Sequence, residues 1–288
     1  MTRHVLTSWR VPVGLVLWVF VLYANSLGNS FHYDDSHSLV DNPAVRSLAN
    51  VGRFFSDTGS FSVLPDARMY RPLLLLTYAV NHAVGGYEAF GYHLVNLLLH
   101  AVNVWLMWSL ARRVLGGPGS ALVAALMFAT HPVVSEPVNY VSSRSTSLSA
   151  LFVLAALIVL IDGARRPNWR HHMALTALAI TALLSKSVGI VLVPAAGLWL
   201  WLLGPGGRGS WTLLTGPVLA SGVYVLGTRA IVGKALFDPV RTPLVHLATQ
   251  LKAIPLYAYT NLMPVHLSVE PQFFESPTML DVVPLLAL

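Results

Sequence analysis

The sequence predicts an all-α, polytopic transmembrane helical bundle, and three features of its 288 residues favour that fold class. Hydrophobic residues make up 55% of the chain and charged residues only 10%, whereas soluble domains contain about 45–50% and about 25%. The mean hydropathy is +0.63. The apolar residues also form runs long enough for membrane helices, separated by short clusters of Gly, Pro and Arg.

Composition also excludes several classes of function. The chain contains no cysteine, which rules out disulfides, thiol nucleophiles, thiolate zinc sites and iron–sulfur clusters. The formal net charge is +6, but the basic residues lie beside apolar runs rather than along one soluble face. We therefore expect no nucleic-acid partner, and we interpret the cations as orientation signals and candidate phosphate ligands.

The apolar runs predict seven spanning helices, near residues 11–29, 90–111, 119–133, 147–161, 173–186, 188–203 and 211–227. A further run at 73–84 is too short for a hydrocarbon core of about 30 Å at 1.5 Å per residue. Pro72 precedes it and Gly85 follows it, and we predict an interfacial or re-entrant helix there. The pattern leaves open whether residues 243–262 span the membrane or lie along its outer face.

The distribution of charge predicts the orientation. If 73–84 does not span, the loops on the side of the N-terminus contain many arginines and one acidic residue, Asp162. These arginines are Arg3, Arg10, Arg112, Arg113, Arg165, Arg166, Arg170 and Arg208. Such an excess is typical of cytoplasmic loops. The opposite face then holds two outer loops, at about 30–89 and about 131–146.

The first outer loop opens with two adjacent carboxylates, Asp34 and Asp35, followed by His37. Carboxylates just outside the hydrocarbon can act as a general base or bind a divalent cation such as Mg²⁺ or Mn²⁺. The alternative is a solvated turn, since Asp and Ser are common in loops.

Other polar residues are candidates for the same side. The second outer loop contains His131, Glu136 and Arg144, with prolines that favour an ordered, non-helical connection; the alternative is a helix cap with a surface arginine. Lys186 lies at the outer end of a predicted span. It either extends to the lipid headgroups or marks a substrate path, as charges within spans commonly do.

The second predicted span carries a polar stripe of His93, Asn96, His100 and Asn103 on one helical face. The two histidines are seven residues apart, about 10.5 Å along a helix, and cannot share one metal ion. We predict interhelical hydrogen bonds for this stripe.

Short motifs follow one another along the chain: Phe-His-Tyr-Asp-Asp at 31–35, Asn-Pro at 42–43, Tyr-Arg-Pro-Leu at 70–73, Gly-Tyr-His-Leu-Val-Asn at 91–96, His-Pro at 131–132, Ser-Arg-Ser at 143–145, Leu-Leu-Ser-Lys at 183–186 and Leu-Met-Pro-Val-His-Leu-Ser at 262–268. In this order they resemble the GT-C superfamily of membrane glycosyltransferases that use lipid-phosphate sugars. More narrowly, the chain resembles the transmembrane-and-tetratricopeptide protein O-mannosyltransferases and their bacterial relatives. Each motif is short, and the ordered set covers most of the chain.

The resemblance implies one GT-C-like catalytic domain over residues 1–288 that continues beyond the C-terminus. It implies transfer of a sugar from a polyprenyl phosphate to an acceptor hydroxyl, on a protein Ser/Thr or a glycan, with inversion at the anomeric carbon. The active site would face the extracytoplasmic side of a bacterial inner membrane or the lumen of the endoplasmic reticulum. Asp34 is the first candidate for the catalytic base and Asp35 the second. The candidates for binding the donor phosphate and substrates are Arg71, His131, Glu136, Arg144, Lys186 and His37.

Two departures from the family pattern keep alternatives open. Relatives usually carry an acidic residue where this chain has Thr146, and often Lys-Glu where it has Lys186 and Ser187. A member that lost catalysis and only binds lipid or a partner is therefore one alternative. A lipid or sugar flippase is another, although the sequence shows no inverted repeat.

Overall fold

The computed structural model describes residues 9–232 and 242–265, and these form helices without any β-strand. The main helices are α1 (Arg10–Tyr23), α2 (Val51–Ser56), α3 (Pro72–Gly85), α4 (Ala89–Val114), α5 (Pro118–Thr130), α6 (Arg144–Gly163), α7 (Trp169–Ser185), α8 (Leu192–Leu203), α9 (Thr215–Val232) and α10 (Pro243–Leu262). One-turn α-helices cover Glu136–Asn139 and Arg208–Trp211, and a π-helical turn covers Ser36–Val40. The predicted all-α class is confirmed.

Within the described residues, four helical stretches are long and apolar enough to cross a membrane: Arg10–Gly28, Ala89–Val114, Val141–Gly163 and Arg208–Thr228. A fifth results if Pro118–Thr130 and Pro132–Asn139 form one span with a bend of 56°. The chain is thus a membrane protein. Each of the seven predicted spans coincides with a helix, but α7, with 17 residues, and the Ser187–Leu203 stretch are shorter than these spans.

The short apolar helix α3 stays at one end of the bundle. It has 14 residues, about 21 Å of helix. Near its middle the Tyr78 hydroxyl donates to the carbonyl of Val141, at 3.1 Å, just before α6 begins. At its end the carbonyl of Gly86 accepts from the Tyr92 hydroxyl near the start of α4, also at 3.1 Å. Both contacts lie at the same end of the bundle, so α3 does not run from one side to the other, as predicted.

Three buried clusters hold residues 9–232 together. One packs α1 against α4 and α5, and one packs α6, α7 and α8 with residues 213–214. The third fixes the first outer loop, because Leu39, Phe54 and Phe61 from the loop pack on Leu74 and Tyr78 of α3. The loop is therefore a folded layer at the end of the bundle where α4 and α6 begin.

Residues 233–288 form a second compact unit. Its described part contains α10, which has Pro255 inside it and is not one of the four candidate spans. Residues 266–288, with part of the last sequence motif, lie outside the described residues.

Candidate active site

The two adjacent aspartates have different surroundings. The Asp34 side chain is 61% exposed, whereas Asp35 is 1% exposed. Asp35 Oδ1 accepts hydrogen bonds from the Ser142 amide at 2.8 Å and from Ser142 Oγ at 2.6 Å, and Oδ2 accepts from the His32 amide at 3.1 Å. Burial raises the pKa of Asp35, and these hydrogen bonds partly oppose that shift. Asp35 thus joins the two outer loops, and Asp34 is the carboxylate open to a substrate.

Asp34 is oriented by two neighbours. His37 Nε2 lies 3.4 Å from Asp34 Oδ1, and His37 Nδ1 lies 2.9 Å from Ser62 Oγ, which fixes the imidazole ring. The Asp34 amide donates to the Tyr140 hydroxyl at 2.9 Å. Burial raises the pKa of Tyr140 to about 12, so its hydroxyl is neutral at neutral pH. An exposed carboxylate held in this way is suited to accept a proton from an acceptor hydroxyl.

The first turn of α6 and the residues just before it contact most of the predicted site residues. Ser142 donates to Asp35, and Ser143 Oγ donates to Glu136 Oε1 at 2.6 Å. Arg71 Nη1 donates to Ser145 Oγ at 3.2 Å. Lys186 Nζ donates to Thr146 Oγ1 at 2.8 Å. One short segment therefore brings together residues that lie more than 150 positions apart in the sequence.

Arg144, in the same segment, is enclosed by the protein. It is 0% exposed. Its guanidinium donates to Asn96 Oδ1 at 2.7 Å, Asn81 Oδ1 at 2.7 Å, Thr77 Oγ1 at 3.1 Å and the Tyr92 carbonyl at 2.9 Å. The sequence placed Arg144 among the phosphate ligands, but this guanidinium is buried and bound to protein acceptors. We interpret it as a strut between α3, α4 and α6.

Arg71 and Lys186 are the cations left facing the site. Within residues 9–232 and 242–265 the ion pairs are His37 with Asp34 and two pairs elsewhere, so neither cation binds a described carboxylate. The charge of Asp34 acts on Arg71, and the charges of Arg71 and Glu136 act on Lys186. Burial lowers the pKa of Arg71. Two partly buried cations without carboxylate partners form a suitable site for a phosphate group.

An apolar groove of about 490 Å³ lies near Arg71, which interacts electrostatically with the groove residue Tyr224. It is lined by Tyr70, Thr176, Ile180, Leu183, Leu184, Gly216, Leu219, Ala220, Val223, Tyr224, Gly227 and Thr228. Tyr70 directly precedes Arg71, and Leu184 lies two residues before Lys186. The groove residue Thr176 lies ten residues before Lys186, which is about 15 Å along a helix. This length is about half the thickness of the hydrocarbon core.

Comparison with known proteins places this arrangement in a family. The family model for dolichyl-phosphate-mannose-protein mannosyltransferase matches residues 71–232, which is more than half of the chain. The chain belongs to this mannosyltransferase family. The matched residues include Arg71, Glu136, Lys186 and every groove residue except Tyr70, and they begin after Asp34.

Named relatives agree with the family assignment. The chain is 34% identical over 188 residues to Protein O-mannosyl-transferase Tmtc1 of Drosophila melanogaster, covering 62% of this chain and 21% of the relative. It is 30% identical over 186 residues to Protein O-mannosyl-transferase TMTC2 of Homo sapiens, covering 62% and 22%. It is 29% identical over 188 residues to Protein O-mannosyl-transferase F38B6.6 of Caenorhabditis elegans, covering 63% and 26%. The alignments thus cover about a fifth to a quarter of the length of these relatives. No solved structure matches the chain.

The geometry of this family member does not provide a metal site at the two aspartates. Mg²⁺ and Mn²⁺ need several oxygen ligands that converge on one point. Both Asp35 oxygens accept protein hydrogen bonds, and Asp34 faces His37 instead. Among the described residues, no three His, Asp or Glu side chains form a group that could hold a metal ion. The described residues thus form no complete metal site, and the divalent cation stays a prediction.

The polar stripe on α4 makes the predicted interhelical contacts through Asn96, His100 and Asn103. Asn96 Nδ2 donates to the carbonyls of Pro137 and Tyr140, Asn103 Nδ2 donates to the Ser147 carbonyl, and His100 Nε2 lies 3.4 Å from the Ala129 carbonyl. His131 caps the turn after α5, where its Nδ1 accepts from the Val133 amide at 3.3 Å. Its place among the substrate ligands stays a prediction.

Sequence reasoning missed two residues of this mannosyltransferase-family site. Tyr140 binds the Asp34 amide, and Tyr224 lines the groove and interacts electrostatically with Arg71. Neither lies in a distinctive motif, and their positions depend on how the outer loops and α9 pack.

Proposed function

We propose that this chain is the catalytic part of a membrane glycosyltransferase that transfers a sugar from a polyprenyl phosphate to a protein hydroxyl at the extracytoplasmic face. One observation carries the proposal: Tyr224 of an apolar groove interacts electrostatically with Arg71, which also interacts with Lys186 and with the exposed carboxylate of Asp34. The names of the relatives, which are protein O-mannosyl-transferases, favour mannose as the sugar and protein as the acceptor.

The groove and the cations suit the two parts of a lipid-phosphate donor. The apolar lining between α7 and α9 would hold the first isoprene units, and Arg71 and Lys186 would bind the phosphate at the groove's end. Tyr224 lines the groove and interacts electrostatically with Arg71, and so connects the apolar and charged parts. A soluble sugar nucleotide would leave the apolar groove empty, which favours the lipid-linked donor.

Transfer by direct displacement assigns a role to each group. The acceptor oxygen forms a bond to the anomeric carbon, and the bond from that carbon to the phosphate oxygen breaks, with inversion. Asp34 takes the proton of the acceptor hydroxyl. Arg71 and Lys186 stabilise the negative charge that develops on the departing polyprenyl phosphate. No step is assigned to a metal ion.

The charge pattern supports the orientation. The candidate site lies where α4 and α6 begin, whereas the arginine-rich segments around Arg113, Arg166 and Arg208 lie at the opposite ends of the helices. An excess of arginine marks the cytoplasmic side, so the site would open to the extracytoplasmic side.

The direct test is sugar transfer from a panel of polyprenyl-phosphate sugars by the reconstituted protein and its Asp34→Asn variant. We expect transfer by the wild type and a loss of about 10²-fold or more in the variant, as for removal of a general base, with donor binding retained. A wild type that binds the lipids but transfers no sugar would instead support a lipid-binding scaffold or a flippase.

A second experiment tests the groove through two glycines of α9. Gly227 lines the groove, Gly222 does not, and a Cβ at either position meets no atom within 4 Å. We expect Gly227→Leu to raise the KM for the donor about tenfold or more, because the leucine occupies volume that the lipid needs, and Gly222→Leu to leave it unchanged. Equal effects of the two variants would exclude the groove as the lipid site.

A further inference from the structure

One residue of the first outer loop has an uncommon backbone conformation. Tyr33 has a φ of 48° and is the one non-glycine residue with positive φ in the part of the chain that the structure describes. This left-handed conformation is unfavourable for a bulky residue. The backbone carbonyl of Tyr33 accepts from the amide and the hydroxyl of Ser36, and glycine would allow the same turn without the steric cost.

The side chain of Tyr33 adds little to the fold. It is 70% exposed, and its ring touches the Tyr140 ring edge-on, with the centroids 6.1 Å apart at 83°. A strained conformation that exposes an aromatic ring is not explained by stability, and such strain is concentrated at functional sites. The next residue is Asp34, the proposed base.

The position of the ring indicates which substrate it meets. Asp34 and Tyr33 are both open to solvent, whereas Arg71 and Lys186 are partly buried at the end of the groove. A hydroxyl that approaches Asp34 from water therefore passes the Tyr33 ring, while the lipid donor enters along α7 and α9. An aromatic face binds apolar side chains and proline rings well, and its two rotatable bonds lose little entropy on binding.

We propose that Tyr33, supported by Tyr140, forms an acceptor subsite for an extended peptide segment, in which an apolar residue next to the acceptor Ser or Thr packs on the Tyr33 ring. This inference rests on the proposed function and extends it, because it assigns the acceptor side and predicts a sequence preference. Tyr33 is then a specificity-determining residue, and Asp34 remains the catalytic residue.

The test compares transfer to two peptides, one with Thr between Val and Pro residues and one with Thr between glycines. For the wild type we expect kcat/KM to be about five- to tenfold higher for the first peptide, through KM, as an aromatic packing contact provides. In Tyr33→Gly the ratio of the two kcat/KM values falls to about one, whereas the KM for the lipid donor does not rise and the melting temperature does not fall. Tyr33→Phe keeps the preference, because the ring rather than the hydroxyl makes the contact.

Two further variants separate recognition from folding. Tyr33→Asn also tolerates positive φ and replaces Tyr33→Gly if glycine loosens the loop. Tyr87→Ala removes a tyrosine that is 38% exposed elsewhere in the same loop, and it should leave the peptide preference unchanged. An unchanged ratio in Tyr33→Gly would overturn the peptide subsite alone. Transfer by the wild type to a glycoside and to neither peptide would overturn both the subsite and the protein acceptor of the proposed function. No transfer by the wild type to any acceptor would overturn the proposed function as well.

Discussion

Replacing Arg144 by Met tests whether this guanidinium is a structural strut or a phosphate ligand. The change keeps a long side chain and removes four hydrogen bonds of 2.7–3.1 Å. A hydrogen bond that involves a charged group contributes about 1.5–3 kcal/mol. The four share one group and do not add. Each neutral acceptor that is left without a donor costs about 1–3 kcal/mol, and removal of the buried charge offsets part of this cost, so the net loss is about 3–5 kcal/mol. We therefore expect the free energy of unfolding to fall by about that amount.

The assay is thermal unfolding in detergent together with binding of the lipid donor. A loss of about 3–5 kcal/mol corresponds to a decrease in melting temperature on the order of 10 °C for a domain of this size. Arg71→Met is the matched control: Arg71 makes one side-chain hydrogen bond, to Ser145, so we expect weaker donor binding with little change in melting temperature. A folded Arg144→Met protein with wild-type melting temperature and no donor binding would refute the assignment of Arg144 as a strut.

Three more outcomes follow from the same contacts. Burial raises the pKa of Asp35 above its ordinary value of 3.8, so the folded state binds this proton more tightly than the unfolded state. The melting temperature of the wild type relative to that of Asp35→Asn should therefore fall as the pH rises from about 3.8 through the raised pKa. A difference that does not depend on pH would contradict this. Tyr140→Phe should lower kcat about tenfold with an unchanged KM for the donor, because the Asp34 amide loses its hydrogen-bond acceptor. A change in the donor KM without a change in kcat would show that Tyr140 does not act through Asp34. Thr146→Glu should pair with Lys186 and raise the donor KM, with Thr146→Gln as the neutral control; equal effects would show that charge is not the cause.

The sequence predicted the helices well where length and hydropathy decide. The run at 73–84 is too short to cross a membrane, and α3 does stay at one end of the bundle. One boundary differs because a loop segment folds into helix without an apolar signal. Residues 141–146 illustrate this, because the predicted span starts at 147 whereas α6 starts at Arg144. The polar first turn belongs to the helix since its side chains bond to the outer loops.

The candidate site was harder to predict, because exposure and hydrogen bonding are tertiary properties. Asp34 and Asp35 look equivalent in the sequence, yet one faces solvent and the other is buried under Ser142. Arg144 and Arg71 look alike beside polar loops, yet only Arg71 faces the groove end. The sequence around an aspartate or an arginine does not determine which neighbour will form hydrogen bonds with its side chain.

The position of Thr146 connects the charge of the site with its departure from the family pattern. Lys186 Nζ donates to Thr146 Oγ1 at 2.8 Å, so an acidic residue at 146, as in the pattern of the related O-mannosyltransferases, would form an ion pair there. With threonine, no carboxylate at this position offsets the Lys186 ammonium. A bound phosphate would then provide a countercharge directly beside the segment that also holds Asp35 through Ser142. Because residues 142–146 carry both contacts, any movement of the first turn of α6 would change the base side and the phosphate side together. We infer that this turn sets the distance between proton acceptor and leaving group. Ser142→Ala, which leaves the charges around the turn unchanged, should therefore affect kcat more than either substrate's KM.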